Sequence, residues 1–181
     1  MDLVQPIRDR KQINNIKNFL KARSGRDFLL FTLGINSGLR ISDLLNLSVE
    51  DVKGKERISL REKKTGKLND FPLSENCKKA IADYLKKTGL TEGPLFPGRD
   101  GGPLSRIQAW RILSEAAKQV GIKEPIGPHS LRKSYGYHIY KSGVDITRIQ
   151  AILNHSSPGI TLRYIGITKD EIDNIRISVD L

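Results

Sequence analysis

The sequence predicts a mainly α-helical domain with one small antiparallel β-sheet, an α+β fold. Three observations lead to this prediction. Apolar residues recur at helical spacing over most of the chain, two short alternating runs flank a turn near its middle, and glycines and prolines separate these segments. The 181 residues suit one domain, because a chain of about this length buries roughly 70% of its unfolded surface.

Three helices are predicted in the first quarter of the chain. Arg10–Arg23 carries an apolar stripe, and Asp27–Asn36 is apolar on most sides, which predicts a second, more buried helix. Ser37-Gly38 ends that helix, and Ser42-Asp43 can start a short third one. We expect residues 1–9 to form a flexible N-terminal segment or a linker remnant.

The middle of the chain changes period. Residues 57–61 and 69–73 alternate in polarity, with Lys64-Thr65-Gly66-Lys67 between them, which predicts a β-hairpin. Pro72 lacks a backbone donor, so the second strand is short or lies at an edge.

Helices resume after the hairpin. Ser74 can cap a helix that ends at Gly89, and a turn-rich loop covers residues 93–103. The next helix, Ser105–Val120, is predicted to face the core with Ile107, Trp110, Leu113, Ala117 and Val120.

Four helices complete the prediction. Pro128 is suited to a first helical position, and Thr168-x-x-Glu171 is a capping box. The predicted segments are Pro128–Tyr140, Asp145–Leu153, Pro158–Ile165 and a tail helix within residues 168–181.

The charge indicates the kind of partner. The formal net charge is +11 and the isoelectric point is near 9.8, values typical of a domain that binds nucleic acid. A surface that is basic merely for solubility is the alternative. The predicted DNA-binding residues are Lys53, Lys55, Arg57, Arg61, Lys63, Lys67 and Lys133.

Several classes of protein are disfavoured. No apolar run approaches the roughly 18 residues that span a bilayer, and the first residues lack the blocks of a signal peptide. Cys77 is the only cysteine, which favours a reducing cytoplasm. We expect no metal site, because His129 and His155 lack a third ligand at metal spacing. Neither glycine cluster matches a nucleotide-binding loop, and no cofactor is expected.

Two arginines could form a clamp for a phosphate. Arg40 follows a glycine break, and Arg132 shares one helix face with His129 near the positive end of a helix. A planar guanidinium donates two parallel hydrogen bonds and stays charged. Asp43 lies three residues after Arg40 and can either form a local ion pair with it or orient its guanidinium. A solvated or salt-bridged side chain is the alternative for each arginine.

Three further side chains suit phosphoryl transfer. Tyr164 ends a short helix just before Gly166, unlike the other tyrosines, which lie inside longer amphipathic helices and are interpreted as core or rim. A phenol is a weak nucleophile near neutral pH, its pKa being about 10, so it needs nearby cations or a base. His155 precedes it by nine residues, and Lys64 lies in the hairpin turn. Each of these residues alone also has a structural explanation.

Together these segments resemble the catalytic domain of the tyrosine recombinases, the phage integrase family. The matching segments are Gly38–Leu45, Lys64-Thr65-Gly66, Pro128–Ser134, Leu153–Ser157 and Thr161–Tyr164, all in the family's order. Asn154 stands where glycine is usual, and Asp43 where glutamate is more frequent. Family members usually carry an N-terminal core-binding domain as well. We expect residues 1–181 to hold the catalytic domain without it.

The resemblance implies a mechanism and partners. Arg40, Arg132 and His155 would hold a DNA phosphate while Tyr164 attacks it, leaving a 3′-phosphotyrosyl link and a free 5′-hydroxyl. His129 would take or relay the phenol proton, and Lys64 would protonate the leaving oxygen, with no metal or nucleotide cofactor. The implied partner is double-stranded DNA in the nucleoid. Self-association into a tetrameric synapse would use the tail, in which Ile172, Ile175 and Ile177 suit docking on a neighbouring subunit.

Two other functions remain open from the sequence. A type IB topoisomerase shares this chemistry but religates the original strand. A non-catalytic DNA-binding module on the same fold would have lost one or more of the six reactive groups.

Overall fold

The computed structural model describes residues 4–178, and within them nine helices and two strands follow one another along the chain. This confirms the predicted α+β class. The helices are α1 (Arg10–Arg23), α2 (Gly25–Ser37), α3 (Ile41–Leu44), α4 (Glu75–Thr88), α5 (Arg106–Gln119), α6 (Pro128–Lys141), α7 (Ile146–Ile152), α8 (Pro158–Ile165) and α9 (Lys169–Ser178), and the strands are β1 (Arg57–Arg61) and β2 (Leu68–Pro72).

Side-chain caps explain most of the helix boundaries. The Ser24 and Ser74 hydroxyls each accept a backbone N–H three residues on, and Ser105 forms a reciprocal capping box with Gln108. Gly38 ends α2 in the left-handed conformation, with φ of 63°. The third helix begins at Ile41, one residue before the predicted Ser42-Asp43 start.

Helix α2 lies at the centre of the fold and packs against α1, α3, α4 and α6. A Cβ built on Gly34 would lie 2.5 Å from Leu131 Cδ1, so glycine permits the close approach of α2 and α6. Phe31 and Leu30 of α2 are fully buried, each in a different part of the core. Because α2 is held on several sides, its C-terminal end is a rigid base for Arg40.

The β-hairpin has a simple antiparallel register that runs from the Arg57–Pro72 pair to the Arg61–Leu68 pair. The turn is closed by the Glu62 N–H, which donates to the Lys67 carbonyl at 2.9 Å, and Gly66 adopts a left-handed φ of 66°. The turn therefore places Lys64 at the tip of the hairpin.

A small third cluster of buried side chains attaches α7 and α8 to α6. It contains Tyr137, Ile149, Leu153 and Ile165. Gly136 lets α8 approach α6 closely, since a Cβ there would lie 2.6 Å from Ile165 Cγ2. This packing holds the segment from Leu153 to Ile165 against α6.

The prediction of which residues of α5 face the core is partly wrong. Ile107 and Trp110 are 64% and 51% exposed. The buried face consists of Ala109, Leu113, Ala116 and Ala117. Alanines let α5 pack closely on the core, and a pattern that weighs large apolar side chains overlooks them.

The N-terminal segment differs from the expected flexible one over residues 4–9. Ile7 is buried, and its N–H donates to Ser134 Oγ at 2.7 Å. Arg8 donates to the Gly166 carbonyl at 2.9 Å, and the Gln5 N–H to the Pro125 carbonyl at 3.0 Å. An extended segment has no helical period, which is why its packing was not predicted.

The tail forms helix α9, which starts at the predicted capping box. The Thr168 N–H donates to Glu171 Oε2 at 3.1 Å, and the Glu171 N–H to Thr168 Oγ1 at 3.2 Å. Residues 179–181 of the predicted tail lie outside the described residues. None of the helices in residues 4–178 has the length and apolar character required to cross a membrane.

Candidate active site

The six side chains predicted to carry chemistry lie around one open cleft of about 540 Å³. It is formed by the start of α3, the hairpin turn, the start of α6, and α8 with the loop before it. Its lining residues are Arg40, Ile41, Ser42, Lys63, Lys64, Arg106, His129, Arg132, His155 and Tyr164.

Arg40 caps α3 in an extended conformation, directly after the glycine turn that ends α2. Its side chain is 18% exposed, and Nη1 forms an ion pair with Glu62. The predicted contact with Asp43 is not present. Instead Asp43 Oδ1 accepts the Lys63 N–H at 2.9 Å. Thus Asp43 anchors the hairpin turn, and a different carboxylate orients Arg40.

Arg132 is 3% exposed and joins two helix ends. Its terminal nitrogens donate to the carbonyls of Gly38 and Leu153, which cap the C-terminal ends of α2 and α7. The partial negative charge of a helix C-terminus stabilises a cation there. Burial lowers the pKa of the Arg132 guanidinium from its ordinary value, and the nearby Arg40 acts in the same direction.

His129 lies in the first turn of α6, one residue after Pro128 at the helix start. Its side chain is exposed on the cleft wall. The first N–H groups of a helix have no partner within the helix and carry partial positive charge. This end of α6 therefore favours an anion in the cleft.

His155 is held by an unusual backbone residue and by a hydroxyl. Asn154, just before it, has φ of 49°, the one positive value at a non-glycine residue in the described chain. His155 Nδ1 lies 3.2 Å from Thr161 Oγ1. Burial, together with the charges of Arg132 and Arg40, lowers the pKa of His155 to about 4. The imidazole is therefore neutral at pH 7 when the cleft holds no anion.

Tyr164 lies near the end of α8 and is partly buried. Its ring meets that of His155 edge-on, with 4.8 Å between centroids and 73° between planes. Lys133 Nζ lies 5.5 Å from the Tyr164 ring centroid. Lys133, predicted to contact DNA, is instead buried at 5% exposure and donates to the Val4 carbonyl at 3.0 Å.

The other predicted DNA-binding residues are exposed but do not form one patch. Lys63 and Lys64 border the cleft. Arg57 is at the opposite end of β1, about 13 Å from Arg61 at some 3.3 Å per residue, and is paired with Asp70 at 2.5 Å. Lys53 and Lys55 precede that end of the strand. Only the turn end of the hairpin belongs to the cleft.

Two residues of the site were not predicted. Glu62 is 1% exposed and binds Arg40, and Arg106 lies on the cleft wall at the start of α5. Glu62 could have been found from the alternation of β1, because Ile58 and Leu60 point inward and Glu62 continues their period of two. No local pattern marks Arg106. Within residues 4–178 no three histidine, cysteine or acidic side chains gather in a group that could hold a metal ion.

Comparison with solved structures defines the fold as that of a tyrosine recombinase catalytic domain. The crystal structure of XerA recombinase superposes with a TM-score of 0.80 at 21% identity, covering 98% of this chain and 64% of that one. The structure of XerH recombinase, in a post-cleavage complex with its palindromic difH substrate, superposes with a TM-score of 0.77 at 17% identity. The match covers 97% of this chain and 53% of the XerH chain.

The sequence comparisons establish the family. The model of the phage integrase family matches residues 8–171, and the chain belongs to this family. It is 48% identical over 170 residues to the probable integrase/recombinase YoeC of Bacillus subtilis strain 168, covering 94% of this chain and 93% of YoeC. It is 33% identical over 155 residues to the tyrosine recombinase XerD of Corynebacterium glutamicum, covering 83% of this chain and 51% of XerD. The chain thus spans about half the length of the Xer recombinases that it matches, and its relatives place it in the class of site-specific tyrosine recombinases.

Proposed function

We propose that this domain cleaves and rejoins strands of double-stranded DNA through a covalent 3′-phosphotyrosyl intermediate. The observation that carries the proposal is the convergence on one cleft of six side chains, those of Arg40, Lys64, His129, Arg132, His155 and Tyr164. Its relatives include tyrosine recombinases, and the XerH neighbour was solved in complex with its DNA substrate. The formal charge of +11 favours a polyanionic partner.

The arginines and His155 bind the scissile phosphate. Arg40 donates through one terminal nitrogen to Glu62, so other N–H groups of its guanidinium remain for a phosphate oxygen. The edge of the His155 ring that carries Nε2 lies away from Thr161. The neutral tautomer with Nε2–H donates to the phosphate, and the bound anion offsets the two cations that lower the pKa of this histidine.

The chemical step is an in-line displacement. The Tyr164 oxygen forms a bond to phosphorus, and the bond from phosphorus to the 5′-oxygen breaks. The phenol proton passes to His129, and Lys64 supplies a proton to the departing 5′-oxygen. Attack by a 5′-hydroxyl on the phosphotyrosyl link reverses these transfers and restores the phenol. The two arginines offset the charge on the phosphoryl oxygens, where most of the catalytic benefit arises.

The exposed tail favours recombination over relaxation of a single duplex. Ile172 is 40% exposed and Ile177 is 74% exposed on α9, so this helix presents apolar surface outside its own domain. We propose that the tail docks on a neighbouring subunit and supports a tetrameric synapse on DNA in the nucleoid. A type IB topoisomerase instead relaxes one supercoiled circle. Joining of two partner duplexes therefore supports recombination, and relaxation alone would contradict it.

A nicked suicide duplex tests the cleavage step directly. The nick lies close to the scissile phosphate, so the short 5′-hydroxyl fragment diffuses away and the covalent complex accumulates. We expect the protein to gain the mass of one DNA strand on a denaturing gel, and Tyr164→Phe to abolish this product. Tyr140→Phe, on the same domain but outside the cleft, is the matched control and retains it. Absence of the adduct in every substrate design would contradict the proposed chemistry.

A further inference from the structure

Glu62 is a buried carboxylate with partners from several elements. Its side chain is 1% exposed, at the point where β1 passes into the hairpin turn. A buried charge is tolerated only when it is paired and its oxygens are hydrogen-bonded. Glu62 meets this requirement with four donors. They are Arg40 Nη1 and Thr65 Oγ1 (2.6 Å) at Oε2, and Asn69 Nδ2 (3.3 Å) and Asn154 Nδ2 (3.2 Å) at Oε1.

These donors connect separate walls of the cleft. Arg40 itself lines the cleft. Thr65 directly follows Lys64 in the turn, and Asn154 directly precedes His155 in the chain. The three walls are far apart in sequence, at the start of α3, the hairpin turn and the loop before α8. No other carboxylate in the described chain bonds to side chains from these three walls. The positions of a phosphate ligand, the leaving-group lysine and a histidine are thus linked through one side chain.

Charge and backbone geometry both support this link. Burial raises the pKa of Glu62, but hydrogen bonds from Thr65, Asn154 and Arg40 more than offset it, and the net pKa is below its ordinary value. Glu62 is therefore ionised at neutral pH, as an ion pair with Arg40 requires. Asn154 keeps a left-handed backbone where glycine is free of strain, and its amide reaches Glu62. An asparagine at this position therefore supplies a bond that glycine lacks.

We propose that Glu62 is a positioning residue that holds Arg40, the turn carrying Lys64 and the segment carrying His155 in one arrangement. This inference rests on the proposed strand-cleavage function. Glu62 does not touch the phosphate in this arrangement, because its oxygens are occupied by the protein. Loss of its charge therefore disturbs cleavage and leaves the affinity for DNA, itself an anion, undiminished.

The first test compares Glu62→Gln with Glu56→Gln by amide hydrogen exchange. Glu56 lies at the other end of the hairpin and is also ion-paired, to Lys78 at 2.7 Å, but its side chain is 79% exposed. We expect Glu62→Gln to speed exchange at least fivefold in residues 62–67 and, at the same time, in residues 153–156. Glu56→Gln leaves both segments unchanged. Faster exchange in the turn alone, or in neither segment, overturns the coupling.

The second test measures the rate of covalent adduct formation and the Kd for the same duplex. We expect Glu62→Gln to slow adduct formation at least tenfold with Kd within threefold of the parent, and Glu56→Gln to match the parent in both. If Glu62→Gln forms the adduct as fast as the parent protein, or loses rate and affinity by the same factor, the positioning role is overturned. A parent protein that forms no adduct contradicts the proposed function instead, and hydrogen exchange still decides whether Glu62 couples the segments.

A milder variant keeps the inference testable if Glu62→Gln does not fold. Asn154→Gly preserves the left-handed backbone and deletes the amide that reaches Glu62. We expect exchange in residues 62–67 to rise although the substitution is about 90 positions away in sequence, and adduct formation to slow by a smaller factor. Where both variants fold, the double variant is no slower than Glu62→Gln alone, because the two residues act as one unit. Additive losses contradict this.

Discussion

Arg132 is a buried cation whose site is built from two helix ends. Its guanidinium donates to the carbonyls of Gly38 and Leu153, and no acidic side chain pairs with it within the described residues. Helix C-termini thus compensate for the loss of water around the charge. The same contacts fix the distance between the turn that carries Arg40 and the loop that carries His155. Arg132 therefore has a structural role in addition to its proposed role in binding phosphate.

Arg132→Lys is expected to lower both stability and activity. A single ammonium group cannot span the two carbonyls, so at least one loses its bond, which costs about 1–3 kcal/mol of folding free energy. Urea unfolding measures this, and adduct formation is expected to fall at least tenfold. The matched control is Arg23→Lys, at an exposed arginine paired with Glu115 at 2.6 Å, where we expect no measurable change in stability or in adduct formation. Equal effects of the two substitutions would refute the role of the helix-end contacts.

His155 makes folding stability depend on pH in a defined window. Its pKa is about 4 in the folded protein and 6.5 ordinarily, so the unfolded chain binds the proton first as the pH falls. The contribution of His155 to stability is therefore fully present above pH 6.5 and is lost between pH 6.5 and pH 4, on the order of 3 kcal/mol at about 1.4 kcal/mol per pKa unit. Denaturant unfolding from pH 4 to 8, with His155→Gln as the reference, isolates this contribution. The same pH dependence in both proteins would show that His155 is not responsible.

The six proposed catalytic residues were predictable only as a set, whereas the residues that support them were not predicted. Each of the six had a structural explanation when taken alone, and their shared order and the family resemblance of their segments singled them out. The orientation of Arg40 by Glu62 was missed because a partner three residues away, Asp43, offered a simpler explanation. Glu62 lies 22 residues from Arg40, and only the hairpin fold brings the two together. Similarly, Lys133 was predicted to bind DNA, but the N-terminal segment packs against α6 and its Val4 carbonyl accepts a hydrogen bond from the buried Lys133 side chain.

Helices α6 and α8 pack so closely at Gly136 that no space remains for even one methyl group. A Cβ on Gly136 would lie 2.6 Å from Ile165 and 3.1 Å from Leu153, which adjoin the Tyr164 and His155 segments. We expect Gly136→Ala to force α7 and α8 outward, to destabilise the fold by about 1–3 kcal/mol and to slow adduct formation. Urea unfolding and the suicide duplex measure the two effects.

Gly159→Ala is the matched control for this prediction. Gly159 is also a helical glycine, on α8 itself, but nothing lies within 4 Å of a Cβ built there. Alanine favours a helix over glycine by up to about 1 kcal/mol, so a neutral or slightly stabilising effect is expected. A loss of stability in Gly159→Ala as large as in Gly136→Ala would mean that α8 tolerates no substitution, and the close contact with α6 would not be the cause.

Helix boundaries were predicted well because local chemistry determines them. Serine caps begin α2, α4 and α5, and glycines in the left-handed conformation end α2 and α4. The face that a helix buries depends instead on its neighbours. Ile107 and Trp110 were expected inside because they are large and apolar, but the closely packed face of α5 is built from alanines. The short extended segment before α1 has no periodic pattern from which its packing could be predicted.

At the scale of the whole molecule, the net charge of +11 predicts affinity for DNA that falls steeply with salt. Each phosphate contact contributes a slope of about −0.9 in a plot of log K against log salt concentration. We expect Lys63→Gln, at the cleft, to make this slope shallower by about 0.9, the value for one phosphate contact. Lys87→Gln, at the exposed end of α4, is the matched control and leaves the slope unchanged. Fluorescence anisotropy with a duplex of about 30 base pairs checks this, and equal slopes in all three proteins would exclude the hairpin turn from the DNA interface.

The identity of the covalently linked residue is the most direct test of the proposed mechanism. After reaction with a suicide duplex and digestion of the DNA and protein, mass spectrometry locates the remaining nucleotide on a peptide. We predict that it lies on residues 164–169, a tryptic peptide in which Tyr164 is the only tyrosine. A nucleotide on residues 134–141, which contain Tyr135, Tyr137 and Tyr140, or an adduct that persists in Tyr164→Phe, would contradict the assignment of Tyr164 as the nucleophile.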